Sequence, residues 1–174
     1  LEGGLQCLLV SSGLAAIALV DQALLAHGDE VLLPDSVYGP SRELARTELS
    51  RWGITHRLYD PMDAAALAGM IGPKTRLIWL EAPGSVTMEF PNLRELVRAA
   101  KAGGAVCALD NTWGAGLAFN AFDLGVDISA QALTKYPSGG ADVLMGSVVT
   151  RDEALHHKLL HAHGLLGVGV AGND

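Results

Sequence analysis

The segment AVCALDNTW at 105–113 decides the fold. A short apolar run climbs to a single carboxylate, Asp110, and a polar stretch follows. A second segment, AQALTKY at 130–136, repeats the pattern and ends on an amine, Lys135. Such runs read as strands of an open parallel sheet, where ligands bind at the carboxyl ends, so both groups reach one edge. A lysine that ends a buried strand beside Thr134 suits a Schiff-base amine, because burial depresses its pKa. An aspartate in the same crevice can keep a pyridine nitrogen protonated. The pair points to pyridoxal phosphate (PLP) chemistry; the plainer readings are an aspartate capping a loop and a lysine snorkelling from an edge.

Outward from this pair, strand and helix patterns alternate along the chain. Ser11 and Ser12 are N-cap candidates for a helix reaching about Ala26, with Gly28 as its C-terminal stop. Strands are expected at Glu30–Pro34, 54–59, Thr75–Glu81, 105–110, 127–134 and 143–150. Helices are expected from Pro40 or Ser41 through Trp52, over 63–71, over Leu93–Ala102 behind Pro91, and over 151–166, with a short turn at 122–125. Strands alternating with helices of this length predict one α/β domain: a three-layer, mostly parallel sheet with helices on both faces.

The chain has 174 residues, 49% hydrophobic and 18% charged, enough for a packed core. A net charge of −7 with 12 Lys+Arg argues against a nucleic-acid footprint. No apolar run approaches the ~20 residues of a membrane span; the stretch 14–25 is interrupted by Asp21 and Gln22. Cys7 and Cys107 are too few for a disulfide framework, which makes a cytoplasmic setting the default. The absence of an initiator Met and the ending at 171–174 suggest an excerpt of a longer protein.

Further motifs fall at the same edge. Ser11–Ser12–Gly13–Leu14 opens a helix, whose free N–H groups suit a phosphate, although plain capping explains it as well. Tyr38, in DSVYGP at 35–40, follows a strand and could stack on a planar cofactor or simply cover a turn. Ser85, after Pro83 and Gly84, could bond a ring or substrate oxygen, or be a turn serine. Thr112 and Trp113 accompany Asp110. Walker A and dinucleotide glycine fingerprints are missing, which sets a nicotinamide-binding domain aside. His157 and His161 share a helix face, beside His156 and His163, but no acidic or cysteine partner joins them, so no metal site is expected and a solvated or interface face is favoured.

Taken in order, SSGLAA, DSVYGP, LEAPGSVTMEF, LDNTWGAG and QALTKYPSGGADVLMGS resemble the Cys/Met-metabolism family of fold-type-I PLP enzymes over essentially the whole chain. PGS in place of P-T-N-P, with DNTW and Q-A-x-T-K-Y, looks most like its carbon–sulfur β-lyase branch. The resemblance implies that residues 1–174 are the large PLP-binding domain, with an N-terminal arm and a C-terminal domain absent. It implies Lys135 as the Schiff-base lysine, Asp110 at the pyridine nitrogen and Tyr38 stacked on the ring. Ser12, the N–H groups of Gly13 and Leu14, and the Thr134 hydroxyl would hold the phosphate. Ser85 would sit near the ring hydroxyl, and Thr112 beside Asp110. Ala132 departs from the serine that many relatives carry three residues before the lysine, which weakens a synthase or γ-lyase reading. Gly139–Gly140–Ala141–Asp142 replaces the more usual G-H-S-D.

The implied reaction is β-elimination from a cysteine thioether such as L-cystathionine, giving a thiol (homocysteine), pyruvate and ammonia. Lys135 would act as general base at Cα, with Lys135 or Tyr38 assisting the departing sulfur. A γ-lyase or γ-synthase of the same family, and a PLP-binding fragment that cannot turn over, are the alternatives. The family further implies a homo-oligomer, dimer or tetramer, with phosphate-binding Tyr and Arg from a neighbouring subunit and a substrate-carboxylate Arg outside these residues.

Overall fold

The computed structural model describes residues 2–140 and 142–172; Ala141 of the 139–142 segment and the last two residues of the 171–174 ending lie outside the described residues. The elements run β1 (Gln6–Val10), α1 (Gly13–Leu24), β2 (Glu30–Pro34), α2 (Gly39–Leu44), β3 (Thr55–Tyr59), α3 (Ala64–Met70), β4 (Thr75–Glu81), α4 (Leu93–Ala102), β5 (Val106–Asp110), β6 (Ile128–Ala132), β7 (Gly146–Thr150) and α5 (Glu153–Leu166). A 3-10 turn at Ala121–Leu124 precedes β6, and a π-helical stretch, Ala45–Leu49, continues α2.

The seven strands form one sheet in the order β1-β7-β6-β5-β4-β2-β3. Strands β3, β2, β4, β5 and β6 pair in parallel, and β7 runs antiparallel to both β6 and β1. The α/β, mostly parallel architecture expected from the sequence is the one present.

Side chains alternate along each strand, and two cores result. Val31, Leu33, Leu77, Trp79, Ala108, Ile128 and Ala130 pack under α1 and α5 on one face. Leu32, Ile78, Leu80, Cys107 and Leu109 pack under α3 and α4 on the other. Continuing this alternation by two residues puts Glu81, Asp110 and Ala132 on the α1 face at the carboxyl ends of β4, β5 and β6. At the opposite ends, Glu30 takes both arms of the Arg57 guanidinium at 2.7 Å and the Thr75 hydroxyl at 2.7 Å, tying β2, β3 and β4 together.

Several boundaries differ from the sequence expectation. β1 has no counterpart there; it forms the sheet edge beside β7. β6 stops at Ala132, not Thr134, because its ladder with β7 ends at the Ala132–Gly146 pair. Thr134 then bonds Met145 main chain, and the Lys135 N–H turns back to Ala132 O at 3.1 Å. β7 likewise begins at Gly146 instead of 143. α1 closes at Leu24, with Gly28 at φ 89° in the turn beyond, and α5 starts at Glu153 behind the N-cap Asp152. The helix expected through Trp52 contains the π-helical stretch, where the Ser50 hydroxyl donates to Ala45 O.

Candidate active site

A cavity of about 170 Å³ opens at the carboxyl ends of β4, β5 and β6, beneath the start of α1. Its lining includes all nine residues singled out in the sequence: Ser12, Gly13 and Leu14 from α1, Tyr38, Ser85, Asp110, Thr112, Thr134 and Lys135.

The α1 end is pressed against the sheet by two close approaches. A Cβ on Gly13 would lie 2.6 Å from Ala132 Cβ, and one on Gly146 would lie 2.2 Å from Ser12 O. Ser12 caps the helix, its Oγ accepting the Ala15 N–H at 3.0 Å, so the capping role is filled and the backbone N–H groups of Gly13 and Leu14 are the ones left at the cavity. The positive end of the helix dipole therefore faces the cavity.

Asp110 is fixed by its neighbour. The Thr112 hydroxyl donates to Asp110 Oδ1 at 2.6 Å, the Thr112 N–H donates to the same oxygen at 3.1 Å, and Thr112 Oγ1 accepts the Ala132 N–H at 2.9 Å. Asp110 is thereby latched to the end of β6. Burial raises its pKa, opposed by the two Thr112 bonds and the Lys135 charge.

Lys135 stands three residues past the end of β6 and is exposed, which corrects the expectation of a buried lysine ending a strand. The main chain leaves the sheet after Ala132 and carries the side chain out over the cavity mouth. There Nζ lies 5.8 Å from the Tyr38 ring centroid and 5.7 Å from that of Trp113, whose ring is tilted against Tyr136. Two aromatic faces thus flank the amine at cation–π range.

Two hydroxyls have partners that their expected roles did not include. Thr134 Oγ1 accepts the Met145 N–H at 3.0 Å and donates to Met145 O at 3.1 Å, so its proton must leave Met145 before it can serve a phosphate. The Ser85 hydroxyl donates to Glu81 Oε1. Glu81 itself was not singled out in the sequence. It is 3% exposed, sits in register with Asp110 across the β4–β5 ladder, and lines the cavity. Burial, then the Asp110 charge, push its pKa up to about 7, against the Ser85 and Tyr38 hydrogen bonds and Lys135. The signal was available: TRLIWLE ends on a carboxylate just as β5 does. Trp113 was noted only as a neighbour of Asp110. Among the described residues, no group of three or more His, Cys, Asp and Glu is placed to hold a metal ion, and no helix is long and apolar enough to cross a membrane.

The donor set suits a planar anionic cofactor with an aldehyde and a basic ring nitrogen. Helix N–H groups are available to an anion, an aromatic face is available for stacking, a fixed carboxylate faces the interior, and an amine stands at the mouth.

Comparison with known proteins agrees with this geometry. Residues 1–174 match the model of the Cys/Met metabolism PLP-dependent enzymes. The chain is 43% identical over 174 residues to a cystathionine beta-lyase of Bordetella avium, covering 100% of this chain and 43% of that protein. It is 39% identical over 151 residues to the cystathionine beta-lyase of Escherichia coli K12, covering 86% of this chain and 38% of that one. Among solved structures, a cystathionine gamma-lyase from Lactobacillus plantarum complexed with L-serine superimposes with a TM-score of 0.95 at 30% identity, covering 99% of this chain and 45% of its own. The chain therefore spans about two fifths of the length of the curated relatives it matches.

Proposed function

The chain belongs to the Cys/Met metabolism family of PLP-dependent enzymes, and from that premise we propose that the protein carrying it is a carbon–sulfur β-lyase. Its substrate is L-cystathionine or a similar cysteine thioether, cleaved to a thiol (homocysteine from cystathionine), pyruvate and ammonia. The observation that carries this reading is the meeting of the α1 N-terminus, the Tyr38 ring, Asp110 and Lys135 at one cavity.

PLP, when bound, supplies a protonated pyridine ring that accepts the electrons of the broken Cα–H bond. Asp110, held by Thr112, would keep that ring nitrogen protonated. Ser12, Gly13 and Leu14 present the helix end to the phosphate, joined by the Thr134 hydroxyl. Tyr38 would stack on the ring, and Ser85 would reach the ring hydroxyl or the substrate. Lys135 Nζ is the group that would anchor the cofactor; with its amine free, it would take the Cα proton as general base and pass it toward the departing sulfur, with Tyr38 Oη as the alternative donor.

Residues 1–174 act as the large cofactor-binding domain of a longer protein, which supplies an N-terminal arm and a C-terminal domain. The enzyme is a cytoplasmic homo-oligomer, dimer or tetramer. The free Cys7 and Cys107 support a reducing compartment. Lys135 is the only Lys or Arg among the described residues that line the cavity, which supports a phosphate-binding cation from another subunit.

Borohydride reduction of the PLP-incubated full-length protein, followed by peptide mapping, tests the site. A pyridoxyl group on Lys135 is expected, and one found elsewhere overturns the assignment. Pyruvate without 2-oxobutyrate from cystathionine supports β-cleavage, whereas 2-oxobutyrate without pyruvate makes the enzyme a γ-lyase.

A further inference from the structure

Of the two carboxylates that line the cavity among the described residues, Glu81 has no task in the proposed function. Its residue is 3% exposed, and a charge-bearing group that deep needs compensating donors. It has two, and they come from different turns. Oε2 accepts the Tyr38 N–H at 2.9 Å, from the turn that follows β2, and Oε1 accepts the Ser85 hydroxyl, from the turn that follows β4. The same two turns touch directly: the Ser85 N–H donates to Ser36 O at 3.0 Å, and a Cβ on Gly84 would lie 2.5 Å from Ser36 Oγ. Both donors belong to residues that line the cavity. Tyr38 is also the N-cap of α2 with no side-chain cap bond of its own, so its backbone N–H is the handle by which its position is fixed.

We propose that Glu81 is a positioning residue that locks the Tyr38 turn to the Ser85 turn, so that ring and hydroxyl close on the Lys135 side of the cavity as one unit. The proposal rests on the PLP reading above, since the unit positioned is the one that would cover the ring. Glu81 acts through Tyr38 and Ser85 and touches no reacting atom.

Glu81→Ala removes both acceptors. Glu81→Gln keeps both contacts with one reversed, its carbonyl oxygen accepting from the Tyr38 N–H and its amide donating to Ser85 Oγ. Two quantities are read on the full-length protein: hydrogen exchange of the Tyr38 amide in the cofactor-free form, and the PLP dissociation constant. In Glu81→Ala, the Tyr38 amide is expected to exchange at least about tenfold faster and the dissociation constant to rise about tenfold, as for loss of the two hydrogen bonds that Glu81 accepts. Glu81→Gln is expected to hold both within about threefold of wild type, a rescue that a requirement for charge would not permit. If the alanine variant does not fold, Glu81→Met, which fills the space without a comparable acceptor, is read in its place. Unchanged Tyr38 exchange, faster exchange with an unchanged dissociation constant, or a glutamine variant as impaired as alanine each overturns the proposal. Wild-type protein that takes up no PLP overturns the proposed function instead, and the exchange comparison tells the two apart because it needs no cofactor.

Discussion

Gly146→Ala tests whether the start of α1 holds the phosphate. The new Cβ would lie 2.2 Å from Ser12 O, 2.6 Å from Ser12 C and 3.0 Å from Gly13 N, all main-chain atoms. A carbon against a carbonyl oxygen needs about 3.3 Å, so one side must retreat by about 1 Å. β7 cannot be that side, because Gly146 is paired with Val10 on β1 and with Ala132 on β6. The start of α1 yields instead, and Ser12 O is the acceptor of its first helical bond, from the Ala16 N–H at 3.0 Å. Overpacking of this kind costs about 1–3 kcal/mol of stability. An anion at a helix N-terminus gains about 1–2 kcal/mol in a partly buried site, so losing that contact weakens binding by about 5–30-fold. PLP titration of the cofactor-free full-length protein should show a dissociation constant raised by about that factor. Gly69→Ala in α3 is the control. No atom lies within 4 Å of its would-be Cβ, and the substitution should be neutral or stabilise by about 0.5–1 kcal/mol. A folded Gly146→Ala protein that binds PLP as wild type does would refute the assignment of the phosphate to α1.

Two further outcomes follow from the buried carboxyls. Asp110→Asn keeps the shape and the Thr112 contacts but cannot hold a ring nitrogen protonated; kcat/KM should fall about 100-fold or more, and a fall under about threefold would remove Asp110 from that role. Asp21, 3% exposed, accepts from Trp79 Nε1 at 2.8 Å, and burial raises its pKa to about 7. Because the fold holds this carboxyl protonated above its unfolded pKa near 3.8, stability is lost as pH rises from about 4 to about 7, by about 4 kcal/mol in all. Asp21→Asn retains the acceptor for Trp79 and removes that loss. The gap between the two urea midpoints should widen from pH 4 to pH 8 in favour of the variant, and parallel pH profiles would contradict the buried titration.

The strand ends were legible because burial and chemistry alternate there on a short period. Val106 to Asp110 reads as an apolar run ended by a carboxylate, and the structure has that run as β5. Lys135 was found by the same pattern, yet its burial was misjudged: the chain leaves the ladder at Ala132, where the partner strand ends, and nothing in ALTKY marks that exit. β1 escaped because CLLV runs straight into the Ser11–Ser12 cap without an intervening turn residue; the Gly3–Gly4 pair before it was the available cue. The reversed direction of β7 was readable in principle. Among the described residues between β6 and β7 there is no helix, and a parallel return needs a crossover that is usually helical. The π-helical stretch at Ala45–Leu49 has no local signature in the sequence.

The charges around the cavity explain why one chain's residues would leave the proposed site unfinished. A phosphate brings a charge of about −1.5 to −2, and a helix N-terminus answers it with about +0.5. The cation at the mouth, Lys135, is engaged by Tyr38 and Trp113 and is the group that must give up its charge to react. Asp110 lies below with the buried Glu81 beside it, and burial, then the Asp110 charge, push the Glu81 pKa up to about 7. The arrangement therefore favours a cationic ring over Asp110 and leaves the phosphate short of about 1–1.5 positive charges. No arginine among the described residues lines this cavity. A cation delivered from a second subunit would close the balance, so cofactor affinity should depend on protein concentration across the range in which the oligomer dissociates. An affinity that stays constant through that dissociation would mean that the missing charge comes from the same chain.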